Sequence, residues 1–305
     1  MSEGNPKSPR WLAVLLVVLP AWLLLSGAAG IWYFLHLEDQ AEIRGQQRFA
    51  RTVSESSLAD DLRKITQLIG ERHTASEEGA TGLTRSAAMI EGLLGPSNTG
   101  YAVRRARGPD KWPLLHVSLS GGKSKAAALW VVASYDSRPG SPGVEANATG
   151  LVAAIAAAQA MADDQTTLPV HFVFIPHANE PGAPVVETVA MLGDLVRGTG
   201  PASMVLCVEA MGGGAELWFS GRDATVIPQD HLRALGLFRD DGQGTSGSPA
   251  GLAGMLADAG LPAIRVATGP PVTADDADDR LPAPVVLASA AGRLIELIRR
   301  CSSAQ

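Results

Sequence analysis

Apolar and polar positions follow different periods along this chain, and each change of period marks a new part. From Trp11 to Leu35 no residue is charged, a run of 25 residues. A helix needs roughly 20 apolar residues to cross a bilayer. Trp11, Trp32 and Tyr33 stand near the ends of the run, as interfacial aromatics do, and a membrane helix tolerates Pro20. Residues 11–36 are therefore expected to be a transmembrane anchor. Residues 1–10 would be a tail, 37–56 a charged helical stalk, and 57–305 a folded domain. A signal peptide cleaved at Ser26-Gly27-Ala28 is the alternative, and the continuation of the apolar run to Leu35 speaks against it. Lys7 and Arg10 precede the span, whereas Glu38, Asp39 and Glu42 follow it. That charge bias puts the N-terminus in the cytoplasm and the bulk of the chain on the periplasmic or other extracytoplasmic side.

Past the stalk, Leu58, Leu62, Ile65, Leu68 and Ile69 recur at helical spacing, which predicts a helix from Ser57 that stops at Gly70. Ser86 to Leu94 predicts a second helix, ended by Gly95-Pro96. Tyr101 to Ala106 and Leu114 to Ser120 alternate as strands do. From Ala126 the pattern becomes a continuous apolar run and then a polar loop, AAALWVVASYDSRPGSPGVEANATG. This predicts a buried strand, a loop at its carboxyl end, and a helix over Leu151 to Ala162 capped by Asn147 or Thr149. Further strands are expected at Val170 to Ile175, Met204 to Val208, Glu216 to Ser220 and Leu261 to Val266. Further helices are expected at Thr188 to Val196, Gly251 to Ala259 and Val286 to Arg300. The alternation predicts an α/β domain with a mixed, mostly parallel central sheet covered by helices on both faces.

Composition narrows the function. Across 305 residues the net charge is −6, so no basic surface is offered and nucleic acid is not an expected partner. The 46% apolar content suffices for a large core. The two cysteines, Cys207 and Cys301, do not make a disulfide framework, and the sequence permits a bridge between them without demanding one. Gly244-Thr245-Ser246-Gly247-Ser248 lacks the last glycine of a nucleophile elbow. Gly212 to Gly214 lacks the Gly-Lys-Ser/Thr of a phosphate loop.

Three predicted strands end in carboxylates, Asp136, Glu180 and Glu209, and a loop carries Asp275, Asp276, Asp278 and Asp279. Ligands collect outside the carboxyl ends of strands in open α/β sheets. Acids converging there can hold a metal or act as a base, whereas solvated loop acids do neither. Asn147-Ala148-Thr149 formally matches a glycosylation sequon and is better explained as the helix cap.

Over roughly Ile69 to Leu297 the sequence resembles the family-28 metallopeptidases, the di-zinc aminopeptidases. The resemblance runs through six motifs in order. These are Ser134-Tyr135-Asp136-Ser137; Pro142-Gly143-Val144-Glu145-Ala146-Asn147-Ala148-Thr149-Gly150; Asn179-Glu180-Pro181; Val208-Glu209-Ala210-Met211-Gly212; Ala259-Gly260-Leu261-Pro262-Ala263; and Val272-Thr273-Ala274-Asp275-Asp276-Ala277. The resemblance implies the aminopeptidase fold, with Glu209 at a metal-ligand position and Asp136 orienting a ligand. It gives Glu180 the place of either the base or a metal ligand, because one residue of a Glu-Glu pair is missing. It also implies that Ser134, Ala146 and Val272 occupy positions where the family has metal ligands. A two-zinc site needs about five protein ligands, normally His and carboxylate, so zinc is expected only if the site has been remade. His177, three residues before Glu180, would enter such a mononuclear site with Glu180, Glu209 and Asp136; as a loop histidine beside a proline it would not. The resulting expectation is a membrane-anchored, catalytically degenerate aminopeptidase-like module that binds a peptide or protein partner. The alternative is an active zinc-dependent hydrolase with remade ligands.

Overall fold

The computed structural model describes residues 22, 26–27, 53–119, 127–180, 185–220, 251–273 and 276–303. Among these no helix is long and apolar enough to cross a membrane. The expected tail, nearly all of the expected anchor and most of the expected stalk lie outside them.

The chain enters the domain through α1 (Glu55–Arg63), capped by the Ser54 hydroxyl, which accepts from the Ser57 amide. Helix α1 starts two residues earlier than the apolar spacing predicts and changes at Lys64 into a π-helical stretch that ends at Ile69. Helix α2 (Glu77–Leu94) begins nine residues before its expected start, because Ser76 caps it by accepting from Gly79. The glycines at 79 and 82 hid that first turn from the sequence pattern. Both are required there: a side chain at 79 would strike the His73 ring, and one at 82 would strike the Glu71 carbonyl. A short helix, α3 (Pro96–Thr99), leads to β1 (Arg104–Ala106) and β2 (Leu114–Leu119). Tyr101 to Val103 do not join β1; Tyr101 is instead buried, with its hydroxyl donating to the Ala158 carbonyl.

The remaining elements are β3 (Ala128–Ser134), α4 (Thr149–Ala160), β4 (Val170–Ile175), α5 (Val185–Thr199), β5 (Ala202–Val208), β6 (Trp218–Ser220), α6 (Leu252–Asp258), β7 (Ala263–Ala267) and α7 (Pro284–Ser303). Among the described residues seven strands form one sheet in the order β1-β2-β4-β3-β5-β7-β6. Strands β4, β3, β5 and β7 run parallel, and the pairings of β1, β2 and β6 are antiparallel. Every residue of β3 and β4 is buried, as expected for central strands covered on both faces.

Alternate residues of the strands face different cores. Leu129, Val131, Ala133, Phe172, Phe174 and Leu206 pack with α1, α2, α4 and α7. Trp130, Val132, Val173, Ile175, Val205 and Cys207 pack with α5 and α6. Helix α4, TGLVAAIAAAQA, is apolar all round because the sheet lies on one side and other helices on the other. Gly150 at its start is a close-approach position: a Cβ there would sit 2.8 Å from the Val208 carbonyl oxygen.

Cys207 faces the α5–α6 core and Cys301 packs against the other, so the two cysteines are free and the sheet separates them. Neither Asn147 nor Thr149 caps α4. A π-helical turn over Val144–Ala148 precedes it, and the cap position, Ala148, has no side-chain hydrogen bond. Asn147 is buried and accepts from Arg72, a place that no sugar could reach.

Candidate binding cleft

Because β3, β4, β5 and β7 are parallel, their carboxyl ends open onto one edge of the sheet. A cavity of about 200 Å³ lies at that edge, lined by Ser134, Ala146, Ala178, Asn179, Val208, Glu209, Gly251, Leu252, Pro271 and Val272. Ser134 comes from the end of β3, Asn179 from the loop after β4, Glu209 from the end of β5 and Val272 from the loop after β7. The structure thus brings Ser134, Ala146, Glu209 and Val272 together in one cavity. Asp136, Glu180 and His177 do not line it.

Asp136 is fully buried just behind the cavity. Its Oδ2 accepts from the amides of Ala178, Asn179 and Glu180 at 2.7–2.9 Å, and its Oδ1 accepts from the Asn179 side chain at 3.1 Å. Burial pushes the Asp136 carboxyl up, while these hydrogen bonds favour its charged form. The effect is to wind the loop after β4 around one carboxylate. Asn179 then faces the cavity and donates to the Ser134 hydroxyl at 2.8 Å.

Winding the loop also turns Glu180 away. Its Oε1 accepts from the amide and the hydroxyl of Thr74, each at 2.6 Å. Its Oε2 is buried without a hydrogen-bond partner, 3.7 Å from His177 Nδ1. The His177 ring is fully buried, meets Trp112 edge-on, and has no hydrogen bond at either nitrogen. The His177 and Glu180 side chains therefore pair with each other, while the Glu180 amide bonds to Asp136. The sequence leaves open which member of the family's Glu-Glu pair Glu180 represents; in the fold Asn179 lines the cavity and Glu180 does not.

Glu209 sits at the cavity in an ion pair. Its Oε2 accepts from Arg265 Nε at 2.7 Å. Arg265 is buried, donates from Nη2 to the Gly269 carbonyl at 3.0 Å, and leaves Nη1 without a partner. Sequence reasoning missed Arg265, which reads as one polar position in the strand AIRVA of β7.

Sequence reasoning also missed Arg72, which braces the cleft floor from behind. Its fully buried guanidinium donates to the carbonyls of Tyr135 (3.0 Å), Ile65 (3.3 Å) and Gly70 (2.6 Å) and to Asn147 Oδ1 (2.8 Å). Burial lowers this guanidinium to about 10, against the pull of Asp136 and Asp278. Asp278 in turn accepts from the amides of Glu145 (2.5 Å) and Ala146 (3.1 Å), capping the π-helical turn. Asp276 accepts from the amide and hydroxyl of Thr273, and its carbonyl accepts from Arg138. Of the acidic loop, then, Asp276 and Asp278 are structural, and Asp275 lies outside the described residues. Glu145 is half-buried; burial pushes its carboxyl up, and it accepts from the Gly212 amide at 3.0 Å.

The donor set at the cavity does not fit a zinc ion. It consists of one carboxylate already bridged to a guanidinium, a serine hydroxyl and a primary amide, with Ala146 and Val272 completing the wall. Among the described residues no three His, Cys, Asp or Glu side chains are grouped to hold a metal.

No protein-family model matches the sequence, and no curated protein matches it. Among solved structures the chain is similar to the LapA aminopeptidase of Legionella pneumophila, with a TM-score of 0.62 at 13% identity over 88% of this chain and 75% of that one. It is likewise similar to BSAP, a zinc aminopeptidase from Bacillus subtilis, with a TM-score of 0.62 at 10% identity over 83% and 96%. Glutaminyl cyclase from Porphyromonas gingivalis superposes with a TM-score of 0.57 at 13% identity over 81% and 98%. Likeness at these identities is a likeness of fold, and on that footing this chain has the fold of the family-28 zinc aminopeptidases.

Proposed function

We propose that this protein is a membrane-anchored, non-hydrolytic aminopeptidase-fold domain that binds a peptide or protein segment in the cavity at the strand ends, outside the cytoplasm. One observation carries the reading: Glu209, the carboxylate that lines the cavity, is neutralised by Arg265, while Ser134, Ala146 and Val272 form the surrounding wall. Hydrolysis of a peptide bond at such a site needs a Lewis acid or an activated water, and this wall supplies neither a ligand set nor a free base. A cavity part polar and part apolar at a sheet edge is suited to holding a short segment of chain.

The test uses the full chain in detergent micelles with added zinc. Bound zinc is measured, and amino-acyl nitroanilides are assayed for turnover. Neither bound zinc nor turnover is expected. Stoichiometric zinc with turnover that is lost in Glu180→Gln sinks the proposal.

The second reading, a zinc-dependent hydrolase with remade ligands, draws on His177 and Glu180. These are buried together, with Nδ1, Nε2 and Oε2 all lacking hydrogen-bond partners. Buried polar atoms without partners are uncommon and call for an explanation, and the same zinc measurement distinguishes the two readings.

A further inference from the structure

The charge of this chain is unevenly placed. Its net charge is −6, yet residues 104–111 carry Arg104, Arg105, Arg107 and Lys111 against Asp110 alone. All four basic side chains are exposed. Arg105 is spent on Glu91, which it meets through Nε and Nη2. Among the described residues Arg104, Arg107 and Lys111 have no ion pair.

Topology brings two of these cations to the cleft. Strand β2 runs antiparallel to β4, so the loop that enters β2, residues 107–113, lies at the edge where β4 and β3 end. Two contacts fix it there. The Tyr135 hydroxyl donates to the Pro113 carbonyl at 2.8 Å, and Tyr135 directly follows Ser134 of the cavity wall. Trp112 meets the His177 ring edge-on at 5.9 Å, and His177 directly precedes Ala178 of the same wall. Lys111 Nζ in turn sits 4.9 Å from the centre of the Trp112 ring, which gives the ammonium a seat. Only β4 separates β2 from β3 in the sheet. At about 4.8 Å between neighbouring strands, the loop stands roughly 10 Å from the end of β3, the span of about three extended residues.

We infer that Arg107 and Lys111 form a subsite of the cleft for acidic side chains: a peptide seated in the cavity crosses the end of β4 and lays an aspartate or glutamate against them. This rests on the cavity binding a peptide, as proposed above, and narrows the partner to a segment with an acidic residue about three positions from its anchor. Two unpaired cations on an acidic protein draw anions to one place, while the net charge repels them elsewhere. They act within a Debye length, about 8 Å at physiological salt, so they select where the acid falls along the peptide.

The experiment passes a library of random synthetic decapeptides over the immobilised full chain in detergent micelles and sequences those retained. The most enriched peptide is then titrated by fluorescence polarisation, beside a counterpart with Asn and Gln in place of its Asp and Glu. Wild type is expected to enrich acidic peptides and to bind the acidic probe about three- to tenfold tighter than its counterpart, as two exposed ion pairs allow. In the double variant Arg107→Gln with Lys111→Gln the two probes should bind equally, and 1 M sodium chloride should erase the preference in wild type. Both substitutions are at exposed positions, and an unchanged melting temperature verifies the fold. Absence of acidic enrichment overturns the inference, as does a preference that the double variant retains. Val272→Trp, which fills the cavity, is expected to weaken both probes. Binding that ignores Val272→Trp sinks the cavity reading and the placement of the subsite with it. Binding that responds to Val272→Trp without an acidic preference sinks the subsite alone. Retention of no peptide sinks both.

Discussion

Asp136 and Glu209 stand at the carboxyl ends of neighbouring parallel strands, β3 and β5, and the fold treats them in opposite ways. Asp136 is sealed from solvent and surrounded by four neutral donors from one loop. Glu209 reaches the cavity and meets one cation from another strand. The first arrangement fixes backbone, because three of the four donors are main-chain amides. The second fixes charge, because removing either partner leaves the other uncompensated. Two carboxylates that look equivalent in the sequence therefore serve different ends, one building the loop and one holding a buried cation at the cavity wall.

That contrast can be broken most forcefully at Asp136. In Asp136→Ala the amides of Ala178, Asn179 and Glu180 and the Asn179 side chain lose their acceptor in a buried place. Each orphaned group carries its own desolvation penalty, so a loss of about 3–5 kcal/mol is expected. Urea denaturation of the variant should show it as a lowered midpoint. Asp136→Asn, which keeps the shape and one acceptor oxygen, should lose less; equal losses would mean that the loop does not depend on this acceptor.

A pH series sharpens the contrast by separating the carboxylates from the histidines. His116 on β2 and His171 on β4 share a hydrogen bond of 2.9 Å and lie against Trp130, stacked at 5.6 and 4.2 Å. Burial lowers both to about 4, with the neighbouring Arg104 adding to the effect. The unfolded chain, with histidine near 6.5, binds more protons between these values than the folded one does. Stability is therefore full above about pH 6.5 and falls as the pH drops towards 4, by about 3 kcal/mol per histidine at most. Denaturation midpoints measured across that range should show the decline, and His116→Gln should flatten part of it. A decline that is unchanged in that variant would mean that the buried His116–His171 pair does not set it.

The mildest perturbation acts on the Glu209 side through Gly150. A methyl group there meets the Val208 carbonyl oxygen at 2.8 Å and the Glu209 Cα at 2.9 Å. Backbone must shift to admit it, so Gly150→Ala is expected to cost about 1–3 kcal/mol despite the better helix propensity of alanine. Thermal melting reads the loss, and a stabilised variant would show that α4 does not press on β5 this closely.

Much of the fold was legible because its strongest signals are local. The run over β3, the loop after it and the alanine-rich α4 follow one another without a gap, and the order of the six motifs places the remaining strand ends. What escaped was non-local. Arg72 and Arg265 are single basic residues whose partners lie up to 75 residues away in the sequence, as for Arg72 and Asn147, and no periodicity marks such a pairing. Asn179 and Glu180 differ by one position, and only the winding of the loop around Asp136 decides which of them faces the cavity. The start of α2 escaped for a different reason. Gly79 and Gly82 weaken its helical pattern, yet they are there because His73 and Glu71 press against that turn. The caps expected at Asn147 and Thr149 failed because both side chains are engaged elsewhere: Asn147 accepts from Arg72, and Thr149 accepts from the Met211 amide.

The Arg72 guanidinium has a consequence for how the molecule opens. One side chain ties the π-helical stretch at Ile65 and Gly70 to the end of β3 at Tyr135 and to Asn147 ahead of α4, and the Arg72 backbone exchanges bonds with Ser137. Residues 65–72 consequently cannot peel away as a frayed end. Their release would carry the guanidinium away and leave the Tyr135 carbonyl and Asn147 Oδ1 in a buried place without their donor, so the leading segment and the cleft floor belong to one cooperative unit and their amides should exchange with solvent together.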